Sequence, residues 1–325
     1  MHSCAVFLAL AVATTAARGA DLVASLEASY VDRGAVSSHT LTVQGCDTHV
    51  HYLAAGPVKA QKVVLLIHGA AFTARTWQVV GTLDTLGAAG IRVLAVDLPG
   101  YGRSGASSDG AQRKDFVHHF LRALRTTHDY HGQPVLLVAA SMGGTYGAPH
   151  RQRMPSPHTP DHPTHLHAVA DNATTRLRAG APFVRSHPEL VAGYVPIAAL
   201  GVALGEHEDP PSAVPTLVLW GALDAPGSRP GGRGPWRTPE SARARAYAKA
   251  FPNSQKIVFA DAPHPCYLKA PSYFNSLLLQ FAGAGGSAGE SVEQGELEQR
   301  ELGGAARSEV RIVARWTAAA NAAEL

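Results

Sequence analysis

The chain has 325 residues, 46% hydrophobic and 16% charged, enough apolar material for a packed core and too much for wholesale disorder. The formal net charge is only +3 and the basic residues are scattered, so no nucleic-acid partner is indicated. Three cysteines (Cys4, Cys46 and Cys266) exclude a disulfide scaffold and offer no paired metal-ligand spacing, and no apolar run reaches the roughly 18–20 residues of a membrane-spanning helix.

Residues 1–20 are apolar from Cys4 to Ala17, and Ala16-Ala17-Arg18-Gly19-Ala20 could host a signal-peptidase cut, although no Lys or Arg precedes the apolar run. A signal or anchor segment and a plain extension both stay open here. Localisation stays open with them: cytoplasmic in one case, secretory or membrane-associated in the other. Thr40 to Val43 and His49 to Leu53 then predict a hairpin around Gly45-Cys46-Asp47. Val63 to Ile67 is a continuous apolar run, as expected of a strand buried on both faces. Trp77, Val80, Leu83 and Leu86 recur at near-helical spacing up to Gly90, and Ile91 to Val96 is the next strand. Phe116, Val117, Phe120, Leu121 and Leu124 form a helical stripe, followed by a strand over Val135 to Ala140.

Residues 150–182 interrupt this rhythm. They carry His150, His158, His162, His165 and His167 among Pro155, Pro157, Pro160 and Pro163. The prolines forbid a helix that would aim the imidazoles at one metal ion, so a metal site is disfavoured. Gly147-Ala148-Pro149 recurs as Gly180-Ala181-Pro182, and removing 150–182 joins two segments that read as one helix and loop. The segment is therefore expected to be a disordered in-frame insertion, of the kind a retained intron leaves. A tryptic peptide running directly from Pro149 to Phe183 in the native protein tests this; abundant peptides from within 151–178 refute it.

Beyond it, Leu190 to Ile197, Thr216 to Trp220 and Lys256 to Ala260 supply three more strands, and 283–325 reads as a flexible Gly-, Ala- and Glu-rich tail. The remainder, over 38–282, is one α/β domain. Its expected architecture is a mostly parallel eight-stranded sheet flanked by helices.

In such a sheet, reactive groups gather beyond the carboxyl ends of the strands. His68-Gly69-Ala70 follows the first buried strand and Asp97 to Ser104 the second. Ser141 follows the strand over Val135 to Ala140, in Ala139-Ala140-Ser141-Met142-Gly143; Ala139 holds the first glycine position of a G-x-S-x-G elbow and Gly143 the second. Asp224 follows the strand ending at Trp220, and His264 the last strand. Ser, then Asp, then His, each beyond a strand end, is the chain order of an alpha/beta-hydrolase triad. A serine hydroxyl is a weak nucleophile, so His264 would take its proton while Asp224 holds the imidazole tautomer. The backbone N–H groups of Met142 and Ala70 are the candidate oxyanion donors, and His68 reads as a brace for that loop.

Val64 to Gly69, Thr76-Trp77-Gln78 with Gly81-Thr82-Leu83, Asp97-Leu98-Pro99-Gly100, and above all His264-Pro265-Cys266-Tyr267-Leu268 with Lys269 and Pro271 resemble the alpha/beta-hydrolase domain-containing protein 14 family. The resemblance covers about 38–282 apart from the insertion. It implies the alpha/beta-hydrolase fold and a serine hydrolase of short acyl groups, with lysine deacylation and acyl transfer to coenzyme A as family activities. It carries the nucleophile to Ser141, the acid to Asp224 and the base to His264. The sequence departs from the family at Pro263, where the family has Gly; proline restricts Ala262 and is able to re-aim the imidazole. It departs again in the longer, looser stretch Gly227 to Pro235, and where the insertion cuts the helix after Ser141.

The same residues admit other readings. Cys266 with His264 would make a thiol nucleophile, but its spacing favours a packing role. An aspartate-nucleophile dehalogenase or epoxide hydrolase is disfavoured by Ser141 at the elbow. A hydrolase fold serving only as a protein-interaction module is the rival from another class. Ala198 to Ala213 spans only 16 residues, which predicts little or no lid and an open site for small acyl groups, including those on a protein lysine. No metal or organic prosthetic group is expected, coenzyme A entering only as an acyl acceptor. No firm membrane partner is indicated.

Overall fold

In the computed structural model the described residues are 21–32, 34–44, 48–106, 116–145, 181–199, 211–224, 247, 249–259, 262–283 and 312–317. Nine strands form one sheet: β1 (Ser37–Val43), β2 (Thr48–Ala55), β3 (Val63–Ile67), β4 (Arg92–Val96), β5 (Val135–Ala140), β6 (Val191–Ile197), β7 (Thr216–Gly221), β8 (Ser254–Phe259) and β9 (Ile312–Thr317). Their order is β1-β2-β4-β3-β5-β6-β7-β8-β9. From β4 through β8 neighbouring strands run parallel, while β1, β2 and β9 pair antiparallel at the two edges.

The central strands are apolar throughout because both of their faces are covered. Alternate residues of β3 point to opposite sides. Val63, Leu65 and Ile67 join a cluster with Phe116, Phe120 and Leu124 of the helix Phe116–Thr126. Val64 and Leu66 join Trp77, Leu83, Phe274 and Leu278 on the other face. Trp77 stacks on Tyr267 at 4.8 Å between ring centroids, which ties the early helices to the His-Pro-Cys-Tyr-Leu run.

Two expectations change and one element is added. The stripe from Trp77 to Leu86 is two helices, Ala74–Val79 and Thr82–Ala88, because Gly81 takes φ 78° between them and breaks the hydrogen-bond ladder. Residues 21–29 form a helix whose Leu22, Val23 and Leu26 pack against the second core cluster. Within 283–325, read as a flexible tail, Ile312–Thr317 is a strand on the edge of β8, adding a ninth to the expected eight. Pairing there covers backbone groups that β8 would otherwise leave free.

The leader 1–20, the insertion over 150–180, the lid position 200–210 and the stretch Gly227 to Pro235 lie outside the described residues. Ala181 already begins the helix Ala181–Ser186, which delivers Phe183 and Val184 to the core. Among the described residues no helix is long and apolar enough to cross a membrane.

Candidate active site

Strand β5 ends at Ala140, and the chain turns at once into a 3₁₀ turn over Ser141–Thr145. Ser141 makes this turn with φ 47°, a left-handed conformation costly for a residue with a Cβ, which aims its hydroxyl off the end of the sheet. Small neighbours make it feasible. A Cβ at Gly143 would stand 2.9 Å from the carbonyl oxygen of His68, and one at Gly69 would stand 3.4 Å from the Ser141 Cβ. Ala139, fully buried, lies in register between Ile67 of β3 and Pro196 of β6.

Asp224 closes the turn after β7, where its N–H bonds the Gly221 carbonyl at 3.0 Å. His264 follows β8 and precedes the short helix Cys266–Lys269. The turns are joined directly: Ala222 N–H donates to Phe259 O at 2.8 Å and Leu223 N–H to Ala262 O at 3.0 Å. The result is a continuous array. His264 Nδ1 lies 2.8 Å from Asp224 Oδ2, and His264 Nε2 lies 2.6 Å from Ser141 Oγ. An ionised carboxylate only accepts, so Nδ1 carries the proton and Nε2 faces the serine hydroxyl as acceptor. Side-chain exposures of 27% for His264 and 16% for Asp224 leave the imidazole reachable from solvent while shielding the acid. Pro263 does not turn the imidazole away: the Leu223–Ala262 bond holds this turn, and the ring meets Ser141.

His68 is fully buried, with Nδ1 2.8 Å from the Gly69 carbonyl and Nε2 accepting the Leu98 N–H at 3.0 Å. Burial holds its pKa below the usual histidine value, against the Gly69 carbonyl and Asp97, which act the other way. A neutral ring thus clamps the loop carrying Ala70 to the loop after β4. Ala70 itself is exposed in the turn beyond Gly69. Half-buried Met142 accepts a hydrogen bond on its sulfur from the Tyr101 hydroxyl at 3.1 Å, and the Tyr101 ring meets His68 edge-on. Cys266 is fully buried among apolar side chains, and desolvation, with Asp224 second, pushes its thiol far above the usual range. It packs; it does not face the site as a thiolate. Among the described residues no group of three or more His, Cys, Asp or Glu side chains could hold a metal ion, and the histidine tract from 150 to 167 lies outside them.

Three contributors escape a linear reading. Gly221 permits the contact between the acid and base turns, since a Cβ there would overlap the carbonyl oxygens of Ala262 and Pro263. Tyr101 holds Met142. His51 of β2 binds Asp97, 46 positions away, at 2.7 Å. Its place within the run Val50 to Ala55, where every other residue is apolar, is the signal that could have marked it as buried.

Residues 64–285 match the model of the alpha/beta hydrolase family. The chain belongs to the alpha/beta hydrolase family. Among curated alpha/beta hydrolase relatives, Protein ABHD14A of Danio rerio is 31% identical over 224 residues, 67% of this chain and 63% of that protein. The match thus spans just under two thirds of that relative's length. The Homo sapiens protein named "Putative protein-lysine deacylase ABHD14B" is 26% identical over 244 residues, 74% of this chain and 93% of that protein. These relatives agree with the family resemblance read from the His264 to Leu268 run. Of solved structures, a CIB-like hydrolase from Thermoplasma acidophilum superposes with a TM-score of 0.53 at 20% identity, covering 76% of this chain and 97% of that one, a likeness of fold.

Proposed function

We propose that this alpha/beta hydrolase is a serine hydrolase acting on short acyl esters or acyl-lysine through an acyl-enzyme intermediate. The observation that carries the reading is the unbroken line from Asp224 Oδ2 through both ring nitrogens of His264 to Ser141 Oγ. In this reading Ser141 Oγ bonds to the acyl carbon while its proton passes to His264 Nε2. The tetrahedral oxyanion is held by the Met142 and Ala70 N–H groups, each worth about 10²–10³ in rate. The imidazolium returns the proton to the leaving alcohol or amine, and Asp224 stabilises it meanwhile. Water, or the thiol of coenzyme A in a transfer reaction, then attacks the acyl-serine with His264 again as base.

Acyl-lysine as substrate is supported by the name of the Homo sapiens ABHD14B relative and by the short connection between β6 and β7. Hydrolysis of p-nitrophenyl acetate tests the chemistry. A burst of p-nitrophenol stoichiometric with enzyme, abolished in Ser141→Ala, is expected. No burst from folded wild-type protein would leave the fold as an interaction module. Strong turnover of long-chain triglyceride with negligible acetate cleavage would count against the short-acyl assignment.

A further inference from the structure

A second Ser-His-Asp array stands on the β1–β2 hairpin, made of residues that take no part in the Ser141 array. The antiparallel register sets Thr40 opposite His51 and Ser38 opposite Leu53, so Ser38 lies diagonally across from His51 on the same face of the hairpin. The Ser38 Oγ is 2.9 Å from His51 Nε2, and His51 Nδ1 is 2.7 Å from Asp97 Oδ2. Asp97 is held rigidly at the end of β4. Its Oδ1 accepts the Ala74 N–H at 2.7 Å, and its Oδ2 also accepts the Arg103 N–H at 2.9 Å. With the carboxylate as acceptor, the His51 proton sits on Nδ1 and Nε2 is left facing the Ser38 hydroxyl. From the other side Arg103 Nη1 donates to Ser38 Oγ at 3.1 Å. A guanidinium has donors only, so the direction of every bond is set: Arg103 to Ser38, Ser38 to His51, His51 to Asp97. His51 and Asp97 are 3% and 2% exposed, whereas Ser38 is open to solvent. A shielded, oriented base beneath an exposed hydroxyl is the arrangement that activates a serine.

We propose that Ser38 is a second activated hydroxyl, a modification site that takes acyl groups from activated esters with His51 as its base. The Oγ–acyl bond forms as the ester bond to the leaving oxygen breaks. The Ser38 proton moves to His51 Nε2 and then to the departing alkoxide or phenolate, leaving acyl-Ser38 and free alcohol. The Arg103 guanidinium donates to Ser38 Oγ and stabilises the alkoxide character this oxygen gains as its proton leaves. Ser38 lies within a paired strand and not at the start of a helical turn, so backbone oxyanion donors like those proposed at Ser141 are not assembled there. Acylation is accordingly slower than at Ser141, by about 10²–10³-fold for each missing donor.

The test is intact-mass analysis and tryptic mapping of the full chain and of Ser141→Ala after exposure to p-nitrophenyl acetate and, separately, a fluorophosphonate. Ser38 falls in tryptic peptide 34–59 and Ser141 in 126–151, so the two serines are read independently and either assignment can fail alone. The expected result is an adduct on Ser38 in both proteins, absent from Ser141→Ala/Ser38→Ala and at least about tenfold slower with His51→Gln added. Ser38→Ala by itself leaves labelling of Ser141 unchanged. If His51→Gln does not fold, the exposed Arg103→Met replaces it and slows Ser38 labelling without loss of structure. Folded Ser141→Ala with no adduct on Ser38 overturns the proposal, as does a labelling rate indifferent to both His51 and Arg103.

Discussion

Gly221 packs its backbone against the carbonyl oxygens of Ala262 and Pro263 with no room for a Cβ between them. Asp224 lies three residues beyond Gly221 and His264 directly follows Pro263, so this contact sets the separation of acid and base. Gly221→Ala is expected to force the turns apart, lowering kcat on p-nitrophenyl acetate by about 10²-fold. Overpacking should cost about 1–3 kcal/mol in urea denaturation. Gly283→Ala, where a Cβ meets nothing within 4 Å, should change neither. Equal behaviour of the two variants would separate the Gly221 contact from the geometry of the array.

Asp224 and His264 share a hydrogen bond that selects the tautomer. Asp224→Asn keeps the volume but offers an amide that can donate to Nδ1, turning the ring's proton toward Ser141. A fall in kcat of about 10⁴-fold with KM little changed is expected from steady-state kinetics. Near-wild-type turnover would remove Asp224 from the mechanism.

Cys266 sits close enough to His264 in sequence to pass for a nucleophile, but its thiol is fully buried and held protonated. Native protein should therefore resist a thiol-specific disulfide reagent until denatured. Cys266→Ala should keep the full acetate burst while losing about 1–2 kcal/mol of stability to the cavity. Loss of the burst in a folded Cys266→Ala protein would contradict the packing role.

His68 brings a pH dependence whose sign follows from burial. Its folded pKa is depressed below the ordinary 6.5, so in the window below that value the unfolded chain binds the extra proton and the folded chain does not. Stability contributed by neutral His68 is present above the unfolded pKa and is lost as pH falls toward the folded one. The slope from this residue is at most about 1.4 kcal/mol per pH unit. Denaturation midpoints should fall on acidification below 6.5, and ring-nitrogen NMR shifts should keep His68 in its neutral Nδ1–H form while the protein stays folded. A His68 that titrates normally in the native state would refute the clamp.

The candidate positions Ser141, Asp224 and His264 were legible because each lies within a few residues of the end of an apolar run, and parallel strands deliver all their carboxyl ends to one rim. The buried faces were equally legible: the stripe from Phe116 to Leu124 and the run from Val63 to Ile67 state their own periods. Short-range chemistry had to give way where a contact is made between distant segments. Gly81 looked like one residue of a helix until its φ of 78° split the stripe in two. Residues 312–317 looked like tail until the edge of β8 supplied a partner.

Period, strand-end chemistry and triad order are properties of neighbouring residues, and the sequence by itself determined them. Whether three side chains from three loops meet within hydrogen-bond range, whether Gly221 is a spacer or a contact, and whether His51 finds Asp97 depend on strand order and register. The sheet places β2 beside β4 and β7 beside β8. Only tertiary structure decides such pairings, because the free energy that selects them comes from burying both faces of the sheet at once and belongs to no local stretch of chain.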